Sequence, residues 1–175
     1  QVFGLSFTPG PWIESIQITK GAGSVVNGFE SISGQINTEL LKPMTDIPFF
    51  LNFYGSTDAR FELNANINHK ISDKWATSLF MHGNMRDSKS DMNDDGFLDN
   101  PLQKQINIFN RYQYANAETG WVSFINFQYL NDEKLMGQVD FDPDTDRGTT
   151  NAWGSEIDTE RVNISTKIGY VFPDM

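Results

Sequence analysis

The sequence predicts an all-β protein with antiparallel strands of the transmembrane-barrel type. Three observations carry that expectation. Period-2 alternation dominates after Pro43, and no long window has a convincing helical period. The polar phase of the alternation holds Arg, Glu, Lys and several Asn in mid-strand, as a hydrated lumen requires. Finally, the connections alternate between short and long, and short turns on one side with long loops on the other are a mark of outer-membrane barrels. A soluble β-sandwich alternates too, so the periodicity by itself does not choose between the two.

The elements follow in order. Residues 13–20 read as a short alternating strand stopped by Lys20-Gly21. A Gly/Ser/Asn-rich turn region and a second strand lead from there to Pro43. Six longer runs come next. The first is 48–56, and the clearest is 60–71, where Arg60, Glu62, Asn64, Asn66, Asn68 and Lys70 oppose Phe61, Leu63, Ala65, Ile67, His69 and Ile71. Then come 75–86, 104–114, a run with Trp121, Ile125, Phe127 and Tyr129 on one face, and 161–172. Most reach roughly ten residues, the length a tilted strand needs to cross a bilayer. Residues 72–74 and 115–120 are read as short turns, and 87–101 and 131–159 as long loops. Trp75 and Trp121 open strands just after the short turns, where an aromatic girdle is expected at a membrane interface.

Composition excludes more than it selects. The 175 residues carry a net charge of −10, against a phosphate-binding surface, so no nucleic-acid partner is expected. No cysteine is present, which rules out disulfides and thiolate metal sites within this chain. Hydrophobic content is 38% and mean hydropathy −0.44, which suits a soluble protein or a barrel equally. No run of eighteen apolar residues encodes a transmembrane helix. Acid is concentrated in 87–99 and 140–146, while the alternating runs are nearly neutral.

The first acidic segment matches nine positions of a calcium-binding loop. Asp91, Asn93, Asp95 and Asp99 stand at the side-chain ligand positions, Gly96 at the sharp turn and Phe97 at the carbonyl position. Calcium in loop 91–99 is therefore the one cofactor expectation, with a solvated acidic turn as the alternative. The bidentate position holds Leu102 instead of Glu, and Asp87 is the nearest replacement. The second segment, Asp140 to Asp146, reads as a hydrated outer loop. Gly21-Ala22-Gly23 lacks the rest of a phosphate loop or dinucleotide fingerprint. His69 and His82 stand alone on strands, without a partner nucleophile or metal triad, so no enzymatic activity is expected.

Residues 13–43 add a more specific signal. Ile13, Glu14, Ile16, Ile18, Lys20, Gly21, Ser24, Gly28, Ser31, Ile32, Gly34, Ile36 and Asn37 recur at fixed spacing in a pattern that resembles the end of the plug of TonB-dependent outer-membrane receptors. Ala22, Asn27 and Ser33-Gly34-Gln35 depart from the commonest form of that pattern. With the acidic loop downstream, the chain looks like receptors of the Bacteroidetes type. The resemblance implies residues 1–43 as the C-terminal part of a plug and 44–175 as the first strands of a barrel of about 22 strands. It implies a fragment that lacks the TonB box and most of the plug and barrel. It also implies a Gram-negative outer-membrane location, with the bilayer, lipopolysaccharide and the TonB complex as partners. The function implied is active import of a siderophore, cobalamin, metal complex or oligosaccharide. A non-transport surface β-protein, either an adhesin or a calcium-stabilised soluble domain, is the alternative. On the barrel reading Arg60, Glu62, Arg111 and Lys167 face the lumen, and ion pairs from Lys20, Glu14 and Glu39 to them are expected to hold the plug.

Overall fold

The structure, a computed structural model, describes residues 7–23 and 33–172. Among the described residues the regular structure is mainly antiparallel β, with a 3-10 turn at Gly10–Trp12 and a four-residue helix at Pro143–Asp146. The 3-10 turn Gly10–Trp12 leads directly into β1 (Ile13–Lys20), which pairs with β2 (Gly34–Leu40) from Lys20↔Gly34 to Ile13↔Leu40. Ser24, Gly28, Ser31 and Ile32 of the plug-like pattern lie outside the described residues.

The second sheet is a six-stranded meander in sequence order: β3 (Phe49–Gly55), β4 (Arg60–Lys70), β5 (Trp75–Arg86), β6 (Leu102–Asn116), β7 (Trp121–Gly137) and β8 (Gly154–Tyr170). The sheet is open, with β3 and β8 at its edges. Local chemistry sets the turns. Ser72 Oγ accepts from the backbone N–H groups of Lys74 and Trp75 at 3.3 and 3.2 Å, closing the β4–β5 turn. Asn116 Oδ1 accepts from Glu118 N at 3.1 Å, and Gly120 takes φ +73° at the β6–β7 turn. At the opposite end Ser56 N donates to Arg60 O at 3.0 Å and closes the short β3–β4 turn. The long loops 87–101 and 138–153 leave from that same end.

Two expectations need correction. β7 continues to Gly137 and β8 starts at Gly154, so the last loop spans 138–153 instead of 131–159. Asn131, Asp132, Glu133 and Lys134 are polar on both phases, which hides the alternation. Their backbone still pairs in register with residues 157–160 of β8. The β6–β7 turn is likewise shorter, at 117–120, because Ala115 and Asn116 remain in β6.

One face of the sheet buries mostly polar side chains, and the other leaves apolar ones exposed. Among the described residues, ten buried side chains are polar or charged, against six buried aliphatic or aromatic ones. Asn64, Asn66, Ser78, Gln105 and Asn107 are buried on one face. The opposite face leaves Leu63, Ile67, Ile106, Ile108, Phe127 and Ile164 exposed. Residues 7–12 and 40–47 lie against the polar face, meeting it at Asn66, Asn68, Asn107 and Arg111. The small apolar core sits between the two bodies, where Trp12, Phe80 and Phe109 meet with Leu40 and Leu41 at their margin.

Candidate functional site

The densest arrangement of polar and aromatic side chains lies where residues 7–12 and 40–47 rest on β4–β6. Asn66 Nδ2 donates to Pro11 O at 3.3 Å, and Asn107 Nδ2 donates to Phe7 O at 2.9 Å. Arg111 Nη1 donates to Leu40 O and Leu41 O at 3.2 and 3.3 Å, and its guanidinium lies 4.3 Å from the Phe124 ring centroid. Asn68 Nδ2 donates to Asp46 at 2.9 Å, and Gln113 Oε1 accepts from Met44 N at 3.4 Å. The sheet therefore holds this segment mainly through its backbone carbonyls. Each such bond is worth on the order of 1 kcal/mol net.

Trp12 supplies the apolar contact. Its ring centroid is 5.6 Å from Phe80 and 6.1 Å from Phe109, and it meets His82 edge-on at 6.4 Å. Burying an indole of this kind is worth roughly 4–6 kcal/mol before entropy is subtracted. Trp12 was not a sequence candidate, yet its socket left a legible trace. Phe80 shares a strand phase with Ser78, His82 and Asn84, and Phe109 with Gln105, Asn107 and Arg111. Two phenylalanines in an otherwise polar phase mark a place where something apolar must land.

The charged residues expected to hold this segment do something else. Glu14 pairs with Lys42 at 2.7 Å, inside the N-terminal body. Arg60 pairs with Glu62 at 2.9 Å, inside the sheet. Arg111 reaches the segment, where it donates to carbonyl oxygens and is attracted by the Glu14 and Glu39 carboxylates without a close ion pair. Lys167 stands exposed on β8 opposite Phe124, while Lys20 and Glu39 are exposed on β1 and β2. The close contacts to the segment are made by neutral amides, the Arg111 guanidinium and one indole. Of the expected charge pairs, the attraction of Glu14 and Glu39 for Arg111 is present without a salt bridge. Amides and an indole avoid the desolvation cost that a buried charge would carry.

Higher on the polar face, His82 Nδ1 lies 2.7 Å from Asn64 Oδ1, and Asn84 Nδ2 lies 3.0 Å from His82 Nε2. Asp132 pairs with Lys134 and accepts from Gln103 and Gln105 at 3.0 Å each. In the β3–β4 turn, the Ser56 hydroxyl holds the Asp58 carboxyl below its ordinary range; Arg86, 3.0 Å away, acts in the same direction.

The acidic loop is folded by its own carboxylates. Asp91 accepts from Asp95 N and Gly96 N at 3.1 and 2.8 Å, and Asp95 accepts from Phe97 N at 2.8 Å. Asn93 Nδ2 donates to Asp95 at 3.0 Å, and Asp99 accepts from Met92 N at 2.9 Å. Gly96 takes φ +81°, as the sharp turn requires. Asp91, Asn93 and Asp95 are thus drawn into one turn, whereas Asp99 is turned toward Ser90 and Met92. Among the described residues no group of three or more His, Cys, Asp or Glu is placed to hold a metal ion. The loop is joined to 138–153: Leu98 N donates to Gly137 O at 2.8 Å, Val139 N to Gly96 O at 3.0 Å, and Phe97 meets Trp153 at 6.0 Å. Two grooves of about 450 and 580 Å³ open beside the second loop, lined by residues that include Leu102, Leu135, Glu156 and Trp153.

No protein-family model, curated protein or solved structure matches this chain.

Proposed function

We propose that this chain forms the last strands of a plug and six adjoining wall strands of a TonB-dependent outer-membrane receptor that actively imports a scarce ligand. The observation that carries this reading is the inverted polarity of the sheet: amides and charges are buried on one face and aliphatic rows are bare on the other. A water-soluble sandwich gains its stability from the opposite arrangement. Supporting it, Trp75 packs on Tyr114 at 5.0 Å and Trp121 on Tyr170 at 5.1 Å, an aromatic row at the short-turn end. Above the bare rows, Lys104, Glu133 and Asp158 stand in cross-strand register on the same face, which marks the opposite limit of the apolar band. The plug-like residues Ile13, Glu14, Lys20, Gly21, Gly34 and Asn37 fall on β1, β2 and the start of their connection.

In this reading the plug residues up to Pro43 lie in the lumen, the long loops face outward, and cargo passes when TonB displaces the plug. The test is to fractionate envelopes of the native host and to grow a deletion strain on limiting iron chelates, cobalamin or glycans. Recovery in the outer membrane with a selective uptake defect is expected. Recovery in the soluble fraction with unaltered growth overturns the reading.

The openness of the six-stranded sheet favours a second reading, a surface β-protein that does not transport. It predicts surface exposure without any uptake phenotype.

We further propose that loop 91–99 takes calcium through Asp91, Asn93, Asp95 and the Phe97 carbonyl. Position 12 of the loop is Leu102, the first residue of β6, so affinity is expected to be low. Calcium at a hundred-fold excess over its Kd is expected to add about 2.7 kcal/mol. Equal melting in calcium and in EDTA rules the site out.

A further inference from the structure

We propose that Trp12 is a latch: seated on Phe80 and Phe109, it fixes residues 7–12 and 40–47 on the polar face of β4–β6, and it must leave that socket before the segment can move. The proposal rests on the reading of residues 1–43 as plug and β4–β6 as wall.

Four observations place the latch at this residue. Trp12 is 1% exposed, while the apolar side chains of the hairpin it precedes, Ile16, Ile18 and Ile36, are 53–69% exposed. These three hairpin side chains thus contribute little to binding the segment to the sheet, and the hairpin meets it chiefly at Leu40. Second, Phe80 and Phe109 are apolar in a phase whose other members are mostly polar, so the socket offers an indole one place to sit. Third, the indole N–H finds no acceptor among the described residues. Seating therefore depends on apolar area and ring geometry, and it cannot be replaced one amide at a time by water. The surrounding contacts differ in this respect. Asn66, Asn107 and Arg111 grip carbonyl oxygens, and water can take over those bonds as the segment lifts.

The fourth observation is mechanical. Trp12 immediately precedes β1, and its carbonyl accepts from Leu41 N at 3.0 Å, which ties it to the end of β2 as well. Tension entering along either strand of the hairpin reaches the latch within one residue. Polar bonds that exchange with water set a shallow barrier. The indole adds a steep one, because its area is lost to water nearly all at once.

The absence of cysteine allows a direct test. Ser78 is fully buried on the polar face of β5, two residues from Phe80, so Ser78→Cys reports exposure of the covered wall. The protein in detergent micelles is treated with a maleimide, and the labelling rate is read with and without a latch substitution. Trp12→Ala is expected to raise the rate about 100-fold, and Trp12→Phe less than ten-fold, as local opening follows the apolar area removed. Phe109→Leu trims the socket from the wall side and is expected to give an intermediate rise with the segment sequence intact. Trp153→Ala, which alters an exposed indole, is expected to leave the rate unchanged. Rates for Trp12→Ala within two-fold of the parent overturn the proposal. Should Trp12→Ala not fold, an unaltered rate for Phe109→Leu overturns it in the same way. Labelling is read without import, so loss of the import reading in uptake experiments leaves this measurement standing, and the reverse also holds.

Discussion

Ile164→Arg is expected to destabilise the protein in phospholipid vesicles by about 2–4 kcal/mol, the cost of an arginine near the midplane of a barrel's lipid face. Ile164 lies on β8 between Val162 and Ile168 in the bare apolar row, and it is 67% exposed. The neighbouring Ser165→Arg places the same side chain at nearly the same depth on the opposite face, beside Asn126. There the expected change is within about 0.5 kcal/mol, as for an ordinary hydrated surface. Both positions are exposed, so a water-soluble protein should tolerate both substitutions equally. Equal unfolding midpoints in a urea titration of the two variants therefore sink the membrane reading. A split of the stated size separates lipid from water as the neighbour of that face.

Gly137→Ala is expected to cost about 3 kcal/mol, from backbone strain together with overpacking. Gly137 closes β7 with φ +129°, and a Cβ there would sit 2.5 Å from both Gly154 Cα and Trp153 O. Those are backbone atoms and have nowhere to go. Gly137 O also accepts from Leu98 N, so the same change loosens the joint between the two long loops. The expected signature is a lower melting temperature together with faster proteolysis in 87–101 and 138–153. Gly148→Ala, where nothing lies within 4 Å of an added Cβ, carries only the cost of its φ of +75°. Equal behaviour of the two variants would show that the close approach at Gly137 is not felt.

Much of the sheet was legible because its period is strict. From 60 to 71 every even residue is polar and all but one odd residue apolar, and the pairing of β4 with β3 and β5 follows from that phase. Legibility failed where both phases turned polar, at 131–134, since alternation no longer distinguishes strand from loop there. In the acidic loop, spacing brought Asp91, Asn93 and Asp95 into one turn. It did not reveal that Asp99 would be drawn to Ser90 and Met92 instead. The segment contacts were the least legible part. Charges suggested ion pairs, but which oppositely charged groups approach each other depends on how two separate bodies dock.

By itself, then, the sequence determined strand number, phase and the sites of the tight turns, because these depend on neighbours within a few residues or on the period of two. The tertiary structure alone decided which face is covered, and by what. That decision rests on Trp12 meeting Phe80 and Phe109 across a long sequence separation, and on Asn107 reaching Phe7. A polar row can face a lumen or open water with equal local ease. The seated indole and the bare apolar rows behind it are what support the proposed lumen.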